Sequence, residues 1–382
     1  MKKEAVIKKL AHDIELLREE QYGYIRAGLP RFPAFFGRDS CIASWQLLDY
    51  NAGIAKTTLD ILMRLQGTKQ DAASEEEPGK MPHEWHPNPS AYKFVPWPLP
   101  YYGSVDVTPL FIYLAYLYYE KTTDTHWLES AWPHMLRALA WCETYGDFDS
   151  DMLLEYERKR FGGLTHQGWK DSLLDHLHIK SPVELVEVQG YYYAGLTAAS
   201  DCALMLKDET RSNALRKRAE KLKAYFLEQF WLPRDHYFAF ALQESREPIR
   251  TVTSNPGHLL FTGILGSEHK IRDMLVSRLF SPDMWTPFGI RTHAESDKDF
   301  NPMSYHLGSV WPHDNWIIAQ GLKRCGYLAE YERIKQALLA VYEQFGEIPE
   351  LYAARGSTLE RIPVACVPQA WASGALLNVL LE

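Results

Sequence analysis

Long apolar runs are absent from this 382-residue chain: the longest, around Leu110 to Tyr119, falls short of the ~20 residues that span a bilayer. No membrane partner is therefore expected. A basic excess is absent too, since 41 Lys+Arg face 49 Asp+Glu for a net charge of −8. That balance argues against a surface that tracks nucleic-acid phosphates. Cysteine is scarce and odd in number: the five residues Cys41, Cys142, Cys202, Cys325 and Cys366 include no CxxC pair. Reduced thiols in a cytoplasmic protein are the expectation. No Walker loop, GxGxxG turn or GxSxG elbow occurs, so nothing points to a nucleotide or serine-hydrolase mechanism. The tetrapeptide His83–His86 spaces its histidines three apart between Pro82 and Pro87, which blocks the helical i, i+4 geometry of a zinc pair, and no metal is expected. The first twenty residues carry charges throughout, as an amphipathic helix does and a signal peptide does not.

What the chain has in quantity is helical periodicity and aromatic rings. Apolar spacing predicts helices at about 2–20, 39–49, 52–66, 106–121, 125–143, 186–206, 209–229, 256–264, 268–279, 311–324, 327–344 and 367–381. Strands are expected only near Asp235 to Leu242 and Leu153 to Tyr156. Short links of two or three residues alternate with long ones at about 21–38, 67–105, 144–185, 230–255, 280–310 and 345–366. Helix–helix links normally run to ~2–8 residues, and much longer ones usually carry function. In antiparallel helices this alternation puts every long loop at one end. The expected fold is all-α, an (α/α)6 toroid of six helical hairpins, with residues 1–382 as one catalytic domain. The acidic stretch 69–80 is expected to be mobile.

There are 12 Trp and 22 Tyr against 16 Phe, and Trp85, Trp97, Trp169, Trp231, Trp285 and Trp311 fall in or beside the long loops. Aromatic rings gathered at one mouth suit the apolar faces of sugar rings. The starts of the even-numbered helices mix polar and aromatic residues, as in FFGRDS (35–40), YYGSVD (101–106) and SVWPHDN (309–315). Asp39, Asp106, Ser254 and Asp314 could serve as N-caps. Capping does not explain Arg38, because a cation at a helix N-terminus opposes the helix dipole. An Arg38–Asp39 pair suits the hydroxyls of a polyol ligand. Glycoside hydrolysis needs two carboxylates flanking a sugar-sized cleft. Asp171 in HQGWKDS and Glu350 in EIPELY are candidates, yet Glu84, Asp175, Glu187, Asp283, Glu295 and Glu347 remain open on spacing alone. His176 and His178 read as partners of nearby carboxylates.

The ordered motifs AGLPRFPAFFGRDS, GKMPHEW, PYYGSVDVTPLF, QGWKDS, EVQGYYYAGL, TSNPGHLL, FGIRT, SYHLGSVWPHDN, IPELY and PQAWASGALL cover about 27 to 380. Together they resemble the amylo-α-1,6-glucosidase catalytic domain of glycogen-debranching enzymes, within a six-hairpin glycosidase group that includes trehalases and mannosylglycerate or glucosylglycerate hydrolases. The resemblance implies an inverting α-glycoside hydrolase with a carbohydrate substrate and no cofactor. It implies Asp171 as general acid and Glu350 as general base. Arg38, Asp39, Trp169, Gln189, Trp311 and His313 would bind the sugar, together with Phe36, Trp85, Tyr102 and Asp106 in the matching motifs. Arg31 stands where relatives often carry an aromatic residue, and 382 residues leave no room for a β-rich or transferase module. A small α-glucoside or oligosaccharide is the expected substrate, with a mannosyl- or glucosyl-glycerate as the alternative. An epimerase leaning on His306 and His313, a phosphorylase, or a noncatalytic sugar-binding protein are the alternatives on the same toroid.

Overall fold

The computed structural model describes residues 3–90, 92, 95–171 and 179–382. Asp175, His176 and His178 lie outside them. Among the described residues twelve α-helices follow one another: α1 (Lys3–Leu17), α2 (Gly37–Gln46), α3 (Leu48–Leu65), α4 (Val107–Thr122), α5 (Thr125–Thr144), α6 (Val186–Met205), α7 (Glu209–Phe230), α8 (Leu259–Thr262), α9 (His269–Leu279), α10 (Pro312–Cys325), α11 (Leu328–Phe345) and α12 (Ala370–Leu381). The protein is an all-α toroid, as the alternating links predict.

Two kinds of helix make its two walls. The inner helices α2, α6, α10 and α12 are buried almost all round. The outer ones show one apolar stripe. In α1, Val6, Leu10, Ile14 and Leu17 are at most 2% exposed and face α12, so the first helix completes the sixth hairpin. Burying each such side chain contributes roughly 1.5–3 kcal/mol. The inner helices touch in the order α12, α2, α4, α6, α8, α10 and back to α12, which closes the ring. Where α8 meets α10, Gly321 is required: a Cβ there would lie 2.4 Å from the Cβ of Leu260 and 2.7 Å from the Phe261 nitrogen.

The six long connections lie at one mouth because each is hydrogen-bonded to the next. Phe35–Phe36 pairs with Glu84–Trp85, and the Val105 amide donates to the Gln167 carbonyl. Glu184–Leu185 pairs with Leu242 and Ala241, and the Ser254 amide donates to Thr292. Val310 and Tyr352 exchange backbone bonds, and the Leu29 amide donates to Pro368, which returns to the first loop. Inner-helix starts thus point into a mouth braced on every side.

Several expectations need correction. The predicted helix 256–264 is one 3-10 turn, Asn255–His258, followed by the four-residue α8, which Gly263 ends at φ +85°. The turn between α2 and α3 comes earlier than expected, and Asn51 kinks α3 with φ −158°. Leu153 to Tyr156 is no strand: Tyr156 makes one bridge, to Val183. The expected strand at 235–242 is split into Tyr237–Phe238 and Ala241–Gln243, and a hairpin of Tyr352–Arg355 with Thr358–Arg361 stands where the sequence predicts no strand. The stretch 69–80 is tucked in rather than loose, because its charges find partners. Glu75 accepts from Tyr101 and Gln167, and Glu77 accepts from Trp141 and Lys159.

Candidate active site

A narrow cavity of about 60 Å³ sits at the mouth, lined by Phe32, Phe36, Arg38, Asp39, Trp169, Asp171, Tyr305, His306, Trp311, Glu350 and Trp371. It opens into an outer chamber of about 590 Å³, and the two share Phe32, Phe36, Asp171 and Tyr305 as a throat.

Asp171 lines the throat, and along Trp169–Lys170–Asp171 the side chains face the cavity, turn away and face it again. Trp169 and Asp171 face the cavity. Lys170 turns the other way, with its Nζ 2.6 Å from the Thr292 carbonyl and 4.9 Å from the Trp169 ring centre. The Asp171 side chain keeps 29% exposure and receives Nη1 of Arg38 at 3.5 Å. Desolvation raises its pKa to about 6 against the pull of Arg38, and Asp106 adds to the rise. A carboxyl so placed can hold a proton near neutral pH and pass it to an oxygen in the throat.

Glu350 is fixed from both sides. The Tyr305 hydroxyl donates a short bond to its Oε1, and the Cys366 amide donates to its Oε2 at 2.8 Å. Burial raises its pKa, while these two donors and Arg31 favour the ionised form. Asp39, in the first turn of α2, is the third carboxylate on the cavity wall. Burial pushes it up to about 8, with Asp171 and Glu350 raising it further and Arg38 opposing. Three carboxylates beside one guanidinium cannot all ionise freely, so they titrate as a set.

Of the four candidate N-caps, Asp106 and Ser254 hold cap positions but make no capping bond through their side chains, and Asp39 and Asp314 lie within the first turns of helices whose caps are Phe36 and Trp311. Asp106 instead accepts from Arg38 Nε at 2.6 Å and from Ser104 at 2.7 Å. Arg38 is therefore partly structural: it is 2% exposed and ties α2 to the start of α4. Its Nη2 nonetheless has no hydrogen-bond partner among the described residues, and neither do the indole nitrogens of Trp169 and Trp371. All three groups belong to residues on the cavity wall, where buried donors call for a partner.

The expected site residues thus divide. Phe36, Arg38, Asp39, Trp169, Trp311, Asp171 and Glu350 come together on the cavity wall. Asp106 lies behind it, as the partner of Arg38. His313 stacks on Trp371 at 3.7 Å and also sits behind the wall. Gln189 is not in the cavity, because its amide is consumed by the backbone of Leu154 and Leu185. Tyr102 donates to the Leu65 carbonyl, and Trp85 packs against Tyr22, Tyr24 and Phe35. Among the loop tryptophans, Trp97 lines the outer chamber, whereas Trp231 and Trp285 pack elsewhere against Phe238 and Phe280.

The rival carboxylates separate as well. Glu187 is buried against Asn255, Asp283 pairs with Arg278, Glu295 with Arg291 and Glu347 with Arg361. Glu84 lines the outer chamber, held by Tyr92 and Trp97, with a pKa raised by burial to about 7. Phe32, Tyr305, His306 and Trp371 join the wall without having been expected as sugar-binding residues. SYHLGSVW is visible as a motif, yet nothing local to it reveals that Tyr305 holds a carboxylate 45 positions away. Burial lowers the pKa of His306 and His313 well below the usual histidine value, which keeps both rings neutral. That does not suit an epimerase that would protonate through them.

Among the described residues no helix is long and apolar enough to cross a membrane.

Comparison with known proteins agrees with this fold. A mannosylglycerate hydrolase from Rubrobacter radiotolerans is 26% identical over 181 residues, which are 44% of this chain and 38% of that protein. The chain thus matches under half the length of that curated relative. The structure of a GH63 mannosylglycerate hydrolase from Thermus thermophilus in complex with Tris aligns with a TM-score of 0.75 at 17% identity, covering 99% of this chain and 100% of that one. The same enzyme with Tris and D-glycerate aligns at 0.73 and 16% identity over 98% and 99% of the two chains. These likenesses support the mannosylglycerate-hydrolase branch of the expected group rather than the debranching branch specifically. Residues 37–355 match the mannosylglycerate hydrolase MGH1-like glycoside hydrolase domain, and the chain belongs to that family of glycoside hydrolases.

Proposed function

We propose that this protein hydrolyses a small α-glycoside of the glycosyl-glycerate type with inversion, Asp171 protonating the leaving oxygen and Glu350 activating water. The observation that carries the reading is the pairing of these two carboxylates on one cavity wall, Asp171 at the throat and Glu350 deeper beside Tyr305. A base on the far side of the sugar from the acid leaves room for a water and gives single displacement. The narrow inner cavity suits one sugar ring, with Arg38, Asp39, Trp169 and Trp371 meeting its hydroxyls. Residues 1–382 would act as one catalytic domain without a cofactor.

The outer chamber supports a small, negatively charged leaving group. Arg31 lines it with Val95, Trp97, Leu164 and Val364. Its guanidinium stacks 5.0 Å from Phe32 and 5.8 Å from Tyr305. His83 also lines the chamber, and its ring is kept neutral by burial and by Arg38. An aromatic residue at position 31 would suit a glucan; a guanidinium suits a carboxylate. The test is a panel of mannosylglycerate, glucosylglycerate and isomaltooligosaccharides. Turnover of a glycosyl-glycerate well above the glucans is expected, and preference for the glucans would refute the reading.

A further inference from the structure

The two donors that clamp Glu350 come from different parts of the chain, the Tyr305 hydroxyl on Oε1 and the Cys366 amide on Oε2. One exposed residue, Arg31, touches what carries each of them. Its guanidinium lies 5.8 Å from the Tyr305 ring centre, a distance at which the ring's quadrupole holds a cation. Its Nη1 donates to the Val364 carbonyl at 2.9 Å, two residues before Cys366.

The segments bearing Arg31 and Cys366 are also laced together. The Val367 amide donates to the Leu29 carbonyl at 3.1 Å, and the Leu29 amide donates to Pro368 at 3.0 Å. Cys366 meets Glu350 twice, since its carbonyl accepts from the Glu350 amide at 3.0 Å. Tyr305 lines both the inner cavity and the outer chamber, so the ring that Arg31 meets belongs to the wall common to the two.

The charges around Glu350 point the same way. A general base must be ionised to take a proton from water. Burial opposes ionisation; the Cys366 amide, the Tyr305 hydroxyl and Arg31 favour it, and Asp171 opposes it. Asp39 is the further carboxylate that senses Glu350, and Arg38 stands beside it. Burial and the Glu350 charge push the Tyr305 phenol well up, so it stays protonated and able to donate. They push the Cys366 thiol up as well, so it stays neutral.

We propose that Tyr305 and Arg31 are positioning residues for Glu350, Arg31 bracing both of the donors that hold the carboxylate in place. This deepens the proposed function and rests on Glu350 as its base. The guanidinium that would receive the leaving group's carboxylate then also steadies the base, which ties leaving-group recognition to water activation.

The test measures kcat, KM, Tm and the pH profile of kcat/KM for Tyr305→Phe, Arg31→Gln and Glu350→Gln, on the glycoside that wild type turns over fastest. Tyr305→Phe keeps the ring, so KM should change little. Its kcat should fall about 10-fold, as expected for a lost hydrogen bond to a charged group. The acidic limb of kcat/KM reports the free enzyme and should move up by about one pH unit, because a donor to the ionised base is gone. Arg31→Gln should move that limb in the same direction by less, and Arg31 is exposed, so this variant keeps the fold. A packing role would lower Tm or kcat without moving the limb, and that result in either variant overturns the assignment. A wild-type profile in Tyr305→Phe beside an inactive Glu350→Gln overturns it while leaving the proposed function standing. Full activity in Glu350→Gln overturns both.

Discussion

The inner cavity and the outer chamber share a throat but are built differently. Arg38 and Asp39 reach the inner wall from the first turn of α2, and Glu350 is clamped by two donors. The outer chamber is walled by loop residues, Arg31, Tyr92, Val95, Trp97, Leu164 and Val364 among them. Rigid elements hold catalytic groups to tighter tolerance than loops do. On the proposed function, chemistry would belong to the inner site and leaving-group choice to the outer one, and substitutions in the two should fail in different ways.

The largest effect is expected at the throat. Asp171→Asn keeps the shape but cannot donate a proton, so kcat should fall about 10³-fold or more with substrate binding retained. Glu350→Gln should lose activity comparably. Full activity in either variant, measured with the preferred substrate, would remove that residue from the chemistry.

Arg38→Ala should break both site and scaffold. It strands Asp106, which is 0% exposed, without its charge partner. Leaving such a charge unpaired costs about 3–5 kcal/mol, seen as a lowered denaturation midpoint. A variant that stays fully stable while losing sugar binding would make Arg38 purely a ligand group.

At the outer chamber the effect should be smaller and selective. Arg31→Ala should weaken kcat/KM about 10-fold for a glycosyl-glycerate, the loss of a charge-assisted contact. A neutral glycoside should be affected far less. Equal losses on both substrates would erase the division between the chambers.

The smallest effect concerns pH. Burial raises Asp39 to about 8 and Asp171 to about 6, so the folded protein holds protons that the unfolded chain has released. Their contribution to stability is full below the unfolded values and is lost as pH rises through the folded ones. Asp39→Asn cannot ionise, so its Tm relative to wild type should improve between about pH 5 and about pH 8, the window set by Asp39. A constant difference across that range would show that Asp39 is not destabilised by its burial.

The same contrast explains what the sequence discloses. All twelve helices are legible because a 3.6-residue period survives in amphipathic outer helices and in long buried inner ones. The exception in form is α8, where Pro256 and Gly257 shorten the helix. The inner site is legible where a residue sits at a helix start or in a distinctive motif, as Arg38, Asp39, Asp171 and Glu350 do. Gln189 and Tyr102 fall outside the cavity because helix or loop membership does not fix which backbone group takes a side chain's hydrogen bonds. Tyr305 and Trp371 escape a sequence reading because their roles arise from contacts distant in sequence: the Tyr305 hydroxyl on Glu350, and the Trp371 ring on His313. The acidic stretch 69–80 reads as mobile because Tyr101, Trp141, Lys159 and Gln167, which pin its glutamates, come later in the chain.

The most direct test of the account is the anomer released in the first turnover of an α-glycosyl-glycerate, followed by proton NMR before mutarotation. Single displacement by a water on Glu350 with Asp171 as acid predicts the β-anomer first. Initial release of the α-anomer would require a covalent intermediate and would contradict the roles given to both residues.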